Sequence, residues 1–395
     1  MSNSFIPISY SDFLCKAALD TSVNFIAFVI TPWHAISLDA SVKYLQSKGI
    51  ELNGMVLVYP HDKTGINVSI ESFTCDCYSI YVENGGFNQN STVIASSKEK
   101  NLCKSSFLKR RIKHLSFYKY ALLGGRNVQK LPEIYLMQTV HPEPQIGLKM
   151  LSYGRYMRYV CFDEGVGTYT PDNDIPPTSY KIGEWANYFR EAIIGHQWLK
   201  YFHHVIYTTL FEDRKGILYP RQSVVPYYRQ VIEDHASQSS LSIDLSDAVI
   251  IAPSVYEEIK QYYNGEEMRI WSQVCATLSK KGYKLYMKPH PRDSHFRQYA
   301  HQWKCELIEV PNLPMEKMCA ISQPKCIVAG PSTALVTSNL LYEIPAICIY
   351  DLMDQSKCDQ SIKTIIKYFR KLFRQFVLFP QSLSELEAIV DRANR

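Results

Sequence analysis

Residues 24–32, NFIAFVITP, decide how the chain is built. Asn24 to Ile30 is a short apolar run of aromatic and branched side chains, and Thr31-Pro32 ends it. Ala35, Leu38, Val42 and Leu45 then recur at helical spacing. The reading is strand, turn, helix. The same grammar returns at Met55 to Tyr59 (MVLVY), Glu133 to Met137 (EIYLM) and Tyr159 to Phe162 (YVCF), each broken by polar or proline-bearing residues. Strands alternating with helices predict an α/β layer architecture with a parallel sheet.

A second series follows the Ser-rich segment His235 to Ser246 (HASQSSLSIDLS), which lacks a continuous apolar face and reads as a linker. Ala248 to Ala252 is a buried strand, and Met268, Trp271, Val274, Cys275 and Leu278 form a helical stripe closed by Lys280, Lys281 and Gly282. Lys284 to Met287, Lys325 to Ala329 and Ala346 to Tyr350 are further strands. The expectation is two Rossmann-like domains facing a central cleft: residues 1–240, residues 241–360, and an amphipathic helical segment at 361–395. Ligands in such sheets sit beyond the carboxyl ends of strands, so the residues just after each strand are where chemistry belongs.

Composition narrows the function classes. A chain of 395 residues with 46% hydrophobic and 21% charged side chains is an ordinary globular one, which rules out disorder as its theme. Its net charge of +5 is too small and too scattered for a dedicated nucleic-acid binder. Eleven cysteines without a CxxC, the closest being Cys75 and Cys77, predict reduced thiols rather than a disulfide framework or a zinc site. Met1 to Tyr10 carries no secretory pattern, and no stretch reaches the roughly 18 uninterrupted apolar residues of a membrane span. The expected location is cytoplasmic.

Three strand ends carry candidate chemistry. Tyr159 to Phe162 delivers Asp163, Glu164 and Gly165, where one carboxylate could act as general base while the other holds the loop by accepting backbone N–H groups. Lys284 to Met287 delivers Lys288-Pro289-His290-Pro291-Arg292; the flanking prolines hold the histidine extended, among cations suited to an anionic ligand. Lys325 to Ala329 delivers Gly330-Pro331-Ser332-Thr333 at a helix start, which offers backbone N–H groups, two hydroxyls and the positive end of the helix dipole to a phosphate. Ser332 also fits a simple N-cap. The spaced glycines and lysine of a P-loop are missing. Ser254, after Ala248 to Ala252, is a further strand-end candidate for the nucleotide.

In this order, acidic-acidic-Gly, then His-Pro, then Ser-Thr, the sequence resembles the bacterial sialyltransferases and polysialyltransferases of lipooligosaccharide and capsule synthesis. Thr31-Pro32 resembles the threonine-proline turn that opens the lipooligosaccharide-type members. The resemblance implies a GT-B fold and a metal-independent, inverting transfer of sialic acid or a related nonulosonic acid from a CMP-linked donor to a glycan or glycolipid acceptor. It implies Asp163 as general base, with Glu164 the competing choice. His290 would meet and protonate the departing CMP phosphate, Ser332 and Thr333 would bind it, and Lys288, Arg292 and Thr31 would contact substrate.

Two rival readings accompany this one. CDP-glycerol phosphotransferases resemble the second half, with the same His-Pro and Ser-Ser type turns. A non-catalytic scaffold at an anionic membrane is motivated by the basic stretch at 107–115 and by Ser361 to Phe379, where Ile362, Ile365, Ile366, Phe369, Leu372, Phe373 and Phe376 oppose Lys363, Lys367, Arg370, Lys371 and Arg374. Packing of that face back onto the protein is the favoured alternative. Asp172-Asn173-Asp174 imitates a metal-binding DxD but lies among prolines instead of ending a strand, so no metal is expected.

Overall fold

A computed structural model describes residues 5–59, 68–83, 131–139, 150, 153–163, 206–210, 223–237, 244–254, 263–290, 293–310 and 313–393. The described residues fall into two compact units that divide between Val224 and Val225.

The first unit contains β1 (Ile6–Ile8), α1 (Tyr10–Leu19), β2 (Phe25–Val29), α2 (Pro32–Ser47), β3 (Gly54–Val58), β4 (Tyr78–Glu83), β5 (Glu133–Thr139), β6 (Tyr156–Phe162) and β7 (Ile206–Thr208). Its seven strands are all parallel, in the order β1-β4-β3-β2-β5-β6-β7. Every residue of β2 and β3 is buried, as continuous apolar runs in the centre of a parallel sheet require. The strand order reverses between β2 and β5, which makes their carboxyl ends a topological switch point.

Two buried charged side chains inside this unit are held by hydrogen bonds. Asp39 of α2 is fully buried; its Oδ2 accepts the backbone N–H and hydroxyl of Thr74 at 2.6 and 2.9 Å, and it also accepts the hydroxyl of Tyr78. The buried Arg155 guanidinium donates to the carbonyl oxygens of Asp20, Val23 and Glu133, pinning the turn after α1 beside β5 and β6.

The second unit contains α3 (Val225–Ser237), β8 (Val249–Ala252), α4 (Glu266–Lys280), β9 (Leu285–Met287), α5 (Phe296–Trp303), β10 (Glu306–Leu307), α6 (Met315–Ser322), β11 (Cys326–Ala329), α7 (Thr333–Tyr342), β12 (Ala346–Cys348), α8 (Gln360–Phe373) and α9 (Leu383–Arg392). Its parallel sheet runs β10-β9-β8-β11-β12 and reverses between β8 and β11. The two units are therefore Rossmann-like, each with its own core and switch point.

The division lies earlier than residue 240, because α3 belongs with the second unit and the segment read as a linker from His235 begins inside its last turn. The segment from 361 onward lies in that unit too. Ile362, Ile366, Phe369 and Phe373 of α8 are buried, Arg370 pairs with Asp351, and Leu378 exchanges backbone hydrogen bonds with Ala346 and Cys348 at 2.8 Å. The apolar face of α8 is thus packed, while Lys367, Lys371 and Arg374 remain exposed. The basic stretch at 107–115 lies outside the described residues. No disulfide links the described cysteines, and among the described residues no helix is long and apolar enough to cross a membrane.

Candidate functional site

The second sheet brings its strand-end residues together. β9, β8 and β11 are adjacent and parallel, so Lys288 to His290, Pro253-Ser254 and Gly330 to Thr333 leave the same edge of the sheet. Ile251 is level with Met287 and Ala252 with Ala329, which sets the three turns side by side with Ser254 in the middle. Strand spacing puts the outer two roughly 10 Å apart, and the β8/β11 pair is the switch point of this sheet.

Ser332 is the N-cap of α7: its backbone is extended, and its Oγ accepts the Ala334 N–H at 3.3 Å. That bond satisfies one of the donors a helix start leaves open, and the positive end of the helix dipole stays at the turn. Beside Gly330 there is open space, since a Cβ built there would meet nothing within 4 Å. A backbone with free room, a capped helix N-terminus and hydroxyls at successive positions suit a phosphate.

His290 follows β9, and its carbonyl accepts the Asp293 N–H at 2.9 Å. Lys288 does not lie open to substrate as a surface cation: it is 8% exposed, and burial pushes its ammonium down to about 8 against the opposing pull of Glu316 on α6. Pro291 and Arg292 themselves lie outside the described residues.

In the first unit, Asp163 follows β6 and Thr31 comes shortly after β2, both on the carboxyl edge of the sheet, with β5 between the two strands. Asp163 is fully buried, and its Oδ2 accepts the Leu210 N–H at 3.0 Å. Glu164 and Gly165 lie outside the described residues, as does Asp172-Asn173-Asp174. Thr31 is the N-cap of α2, accepting the His34 N–H at 3.2 Å, with Pro32 in the first turn where its missing donor does no harm.

His34 is a residue that sequence reasoning passed over. Its ring is 6.2 Å from that of Phe162, the residue before Asp163, and its Nδ1 accepts the Ile30 N–H at 3.3 Å. Burial pushes its imidazole down to about 4, so at neutral pH it is uncharged, and the engaged Nδ1 leaves the proton on Nε2. The available signal was its position three residues after the capping Thr31.

Among the described residues, no group of three or more His, Cys, Asp or Glu side chains is placed to hold a metal ion.

Comparisons with known proteins place the chain. Several solved structures are similar to it. An α/β-galactoside α-2,3-sialyltransferase from Photobacterium phosphoreum is 12% identical over 92% of this chain and 99% of its own, with a TM-score of 0.44. The E. coli heptosyltransferase WaaC with ADP is 8% identical over 93% and 99%, with a TM-score of 0.44. The wall teichoic acid polymerase TagF is 12% identical over 95% and 84%, also with a TM-score of 0.44. No curated protein sequence gives a significant match. The family model described as Alpha-2,8-polysialyltransferase (POLYST) matches residues 25–351. That span runs from the first residue of β2 to just past β12 and takes in every strand-end turn described above, so the chain belongs to the alpha-2,8-polysialyltransferase family, glycosyltransferases that move sialic acid from a CMP-linked donor to a glycan acceptor.

Proposed function

We propose that the protein adds sialic acid, or a related nonulosonic acid, to a sialylated acceptor in α-2,8 linkage during bacterial capsule or lipooligosaccharide synthesis, by an inverting, metal-independent single displacement. The linkage comes from the description of the family. The observation that carries the donor assignment is the alignment of the Ser254, His290 and Gly330 to Thr333 turns on three adjacent parallel strands.

In this reading an acceptor hydroxyl oxygen attacks the anomeric carbon, and Asp163 takes the hydroxyl proton. The bond from that carbon to the phosphate oxygen breaks, and its electron pair leaves with CMP. The Leu210 N–H on Oδ2 orients the carboxylate of Asp163 as a base must be oriented. His290 protonates or hydrogen-bonds the leaving phosphate, while Ser332, Thr333 and the N–H groups opening α7 receive its charge. Balancing that charge from the protein leaves no step that calls for a divalent ion. Glu164 is the competing base, and Thr31 and Arg292 are substrate contacts in the same proposal.

The CDP-glycerol alternative rests on the second-unit turns alone, whereas the family match also spans the first unit. In the same proposal the protein works on the cytoplasmic side of a membrane, and the exposed Lys367, Lys371 and Arg374 of α8 support peripheral contact with its anionic surface.

A structure of the protein soaked with CMP tests the assignment. The phosphate is expected against His290, Ser332 and Thr333; a nucleotide held with a cation at Asp172 and Asp174 would overturn it.

A further inference from the structure

Two thiols of the second unit meet where α5 packs on α4. The Sγ atoms of Cys275 and Cys305 are 4.0 Å apart, with the Cys305 S–H directed at the Cys275 sulfur. Cys275 lies on α4 and is 1% exposed, whereas Cys305 lies between α5 and β10 and is half-buried. Their surroundings are held in place. Trp303 Nε1 donates to Ser272 Oγ at 3.1 Å, one turn before Cys275, and the rings of Trp303 and Trp271 are 6.1 Å apart. The Cys305 N–H donates to the Ala300 carbonyl at 2.9 Å, and Lys304 turns the chain there with a φ of 54°. Neither thiol has a part in the displacement above. Among the described residues the pair has no third His, Cys, Asp or Glu with which to hold a metal ion.

We propose that Cys275 and Cys305 form an oxidisable pair that hydrogen peroxide converts into a reversible disulfide. Bonded sulfurs stand about 2.05 Å apart, so closure needs an approach of about 2 Å, which rotation between staggered χ1 positions is large enough to supply. Cys305 reaches solvent and meets the oxidant first. The hydrogen bond from Cys305, and then burial, push the Cys275 thiol far above its ordinary value and keep it protonated until it is called on.

The Cys305 sulfur attacks one peroxide oxygen, the O–O bond breaks, and water leaves as a sulfenic acid forms. The Cys275 sulfur then attacks the Cys305 sulfur and gives up its proton to the departing hydroxide, so the S–O bond breaks and a second water leaves. Together the two sulfurs lose the two electrons that the peroxide gains. A small dithiol reverses the step by exchange. The two cysteines are 30 positions apart, and β9 and His290 lie between them, so the bond staples the segment that carries His290 onto α4.

The test treats the folded protein with hydrogen peroxide, alkylates the remaining thiols in denaturant, and digests without reductant for mass spectrometry. The expected product is a peptide pair joined through Cys275 and Cys305, two hydrogens lighter than its parts, which dithiothreitol separates. It should account for more than about half of Cys305, as fits a thiol with its partner already in contact. The oxidised protein should melt at a higher temperature than the reduced one, because the link restricts the unfolded chain. Cys305→Ser should show neither the link nor the shift, and in Cys275→Ser the same dose should carry Cys305 on to sulfinic acid.

Recovery of both thiols alkylated overturns the inference, as does wild-type Cys305 found as sulfinic acid or joined to any other cysteine. A link that forms only after denaturation, or that does not raise the melting temperature, also overturns it, since the folded geometry then does not favour the bond. Should either serine variant fail to fold, the map of the wild-type protein decides by itself between these outcomes.

Discussion

Asp163 Oδ2 accepts the Leu210 N–H at 3.0 Å, which fixes a fully buried carboxylate at the end of β6 and ties it to the segment after β7. Two effects of substitution should therefore separate. Asp163→Asn retains an acceptor oxygen for Leu210, so it should lose transfer by a hundred- to ten-thousandfold with little change in stability. Asp163→Ala should lose transfer and also about 1–3 kcal/mol of stability, because a buried N–H is left without its partner. CMP affinity should be near wild type in both, since the base acts on the acceptor. Rates, calorimetry with CMP and denaturant unfolding read the three quantities. Full turnover by Asp163→Ala with loss in Glu164→Ala would move the base one residue along.

His290 and Ser332 should fail differently. His290→Ala should weaken CMP binding and lower the rate at saturating donor, because the imidazole meets the phosphate before and during departure. Ser332→Ala removes the N-cap of α7, so it should weaken donor binding and also lower stability by about 1 kcal/mol. Thermal unfolding beside donor KM distinguishes the two; an intact donor KM in both variants would argue against the turns as the phosphate site.

Acid should loosen the N-terminus of α4. Hydrogen bonds from Arg269 and Lys357 hold the Glu266 carboxyl down to about 2 from 4.5. A carboxyl depressed by folding stabilises the folded state above its unfolded pKa, and that contribution fades as pH falls from about 4.5 toward about 2. Glu266→Gln should flatten the acid limb of stability across that window and be less stable than wild type at neutral pH. Unfolding followed at several pH values would show it; identical acid limbs would contradict the role.

Gly54 opens β3 directly against the ring of Phe25. A Cβ at Gly54 would lie 2.3 Å from a ring carbon in the centre of the first sheet, so Gly54→Ala should cost about 1–3 kcal/mol through overpacking. Pairing it with Phe25→Leu should recover part of that loss in denaturant unfolding, and strict additivity would argue against a direct clash.

The central strands β2, β3, β5, β6, β8 and β11 were legible because burial on both faces demands continuous apolar runs. Strands β1 and β4 were not. Ile6 of β1 is 45% exposed, and YSIYVE in β4 mixes polar and apolar residues along a partly exposed strand. The strand-end turns stood out because Gly and Pro mark positions where a strand must stop. Glu316 gave no such signal: its partner Thr337 lies 21 residues away, and nothing local in MEKM distinguishes a buried carboxylate from a solvated one. His34 was hidden for the related reason that its state depends on burial by the fold, where the ring of Phe162 on β6 lies 6.2 Å from its own.

Transfer assayed in chelator tests the account most directly. The purified protein is incubated with CMP-sialic acid and a sialylated oligosaccharide in excess EDTA, and CMP and glycan products are followed together. The account predicts CMP release matched one for one by α-2,8-extended product, undiminished by the chelator. Activity that vanishes in EDTA and returns with magnesium or manganese, or turnover of CDP-glycerol in place of CMP-sialic acid, would contradict it.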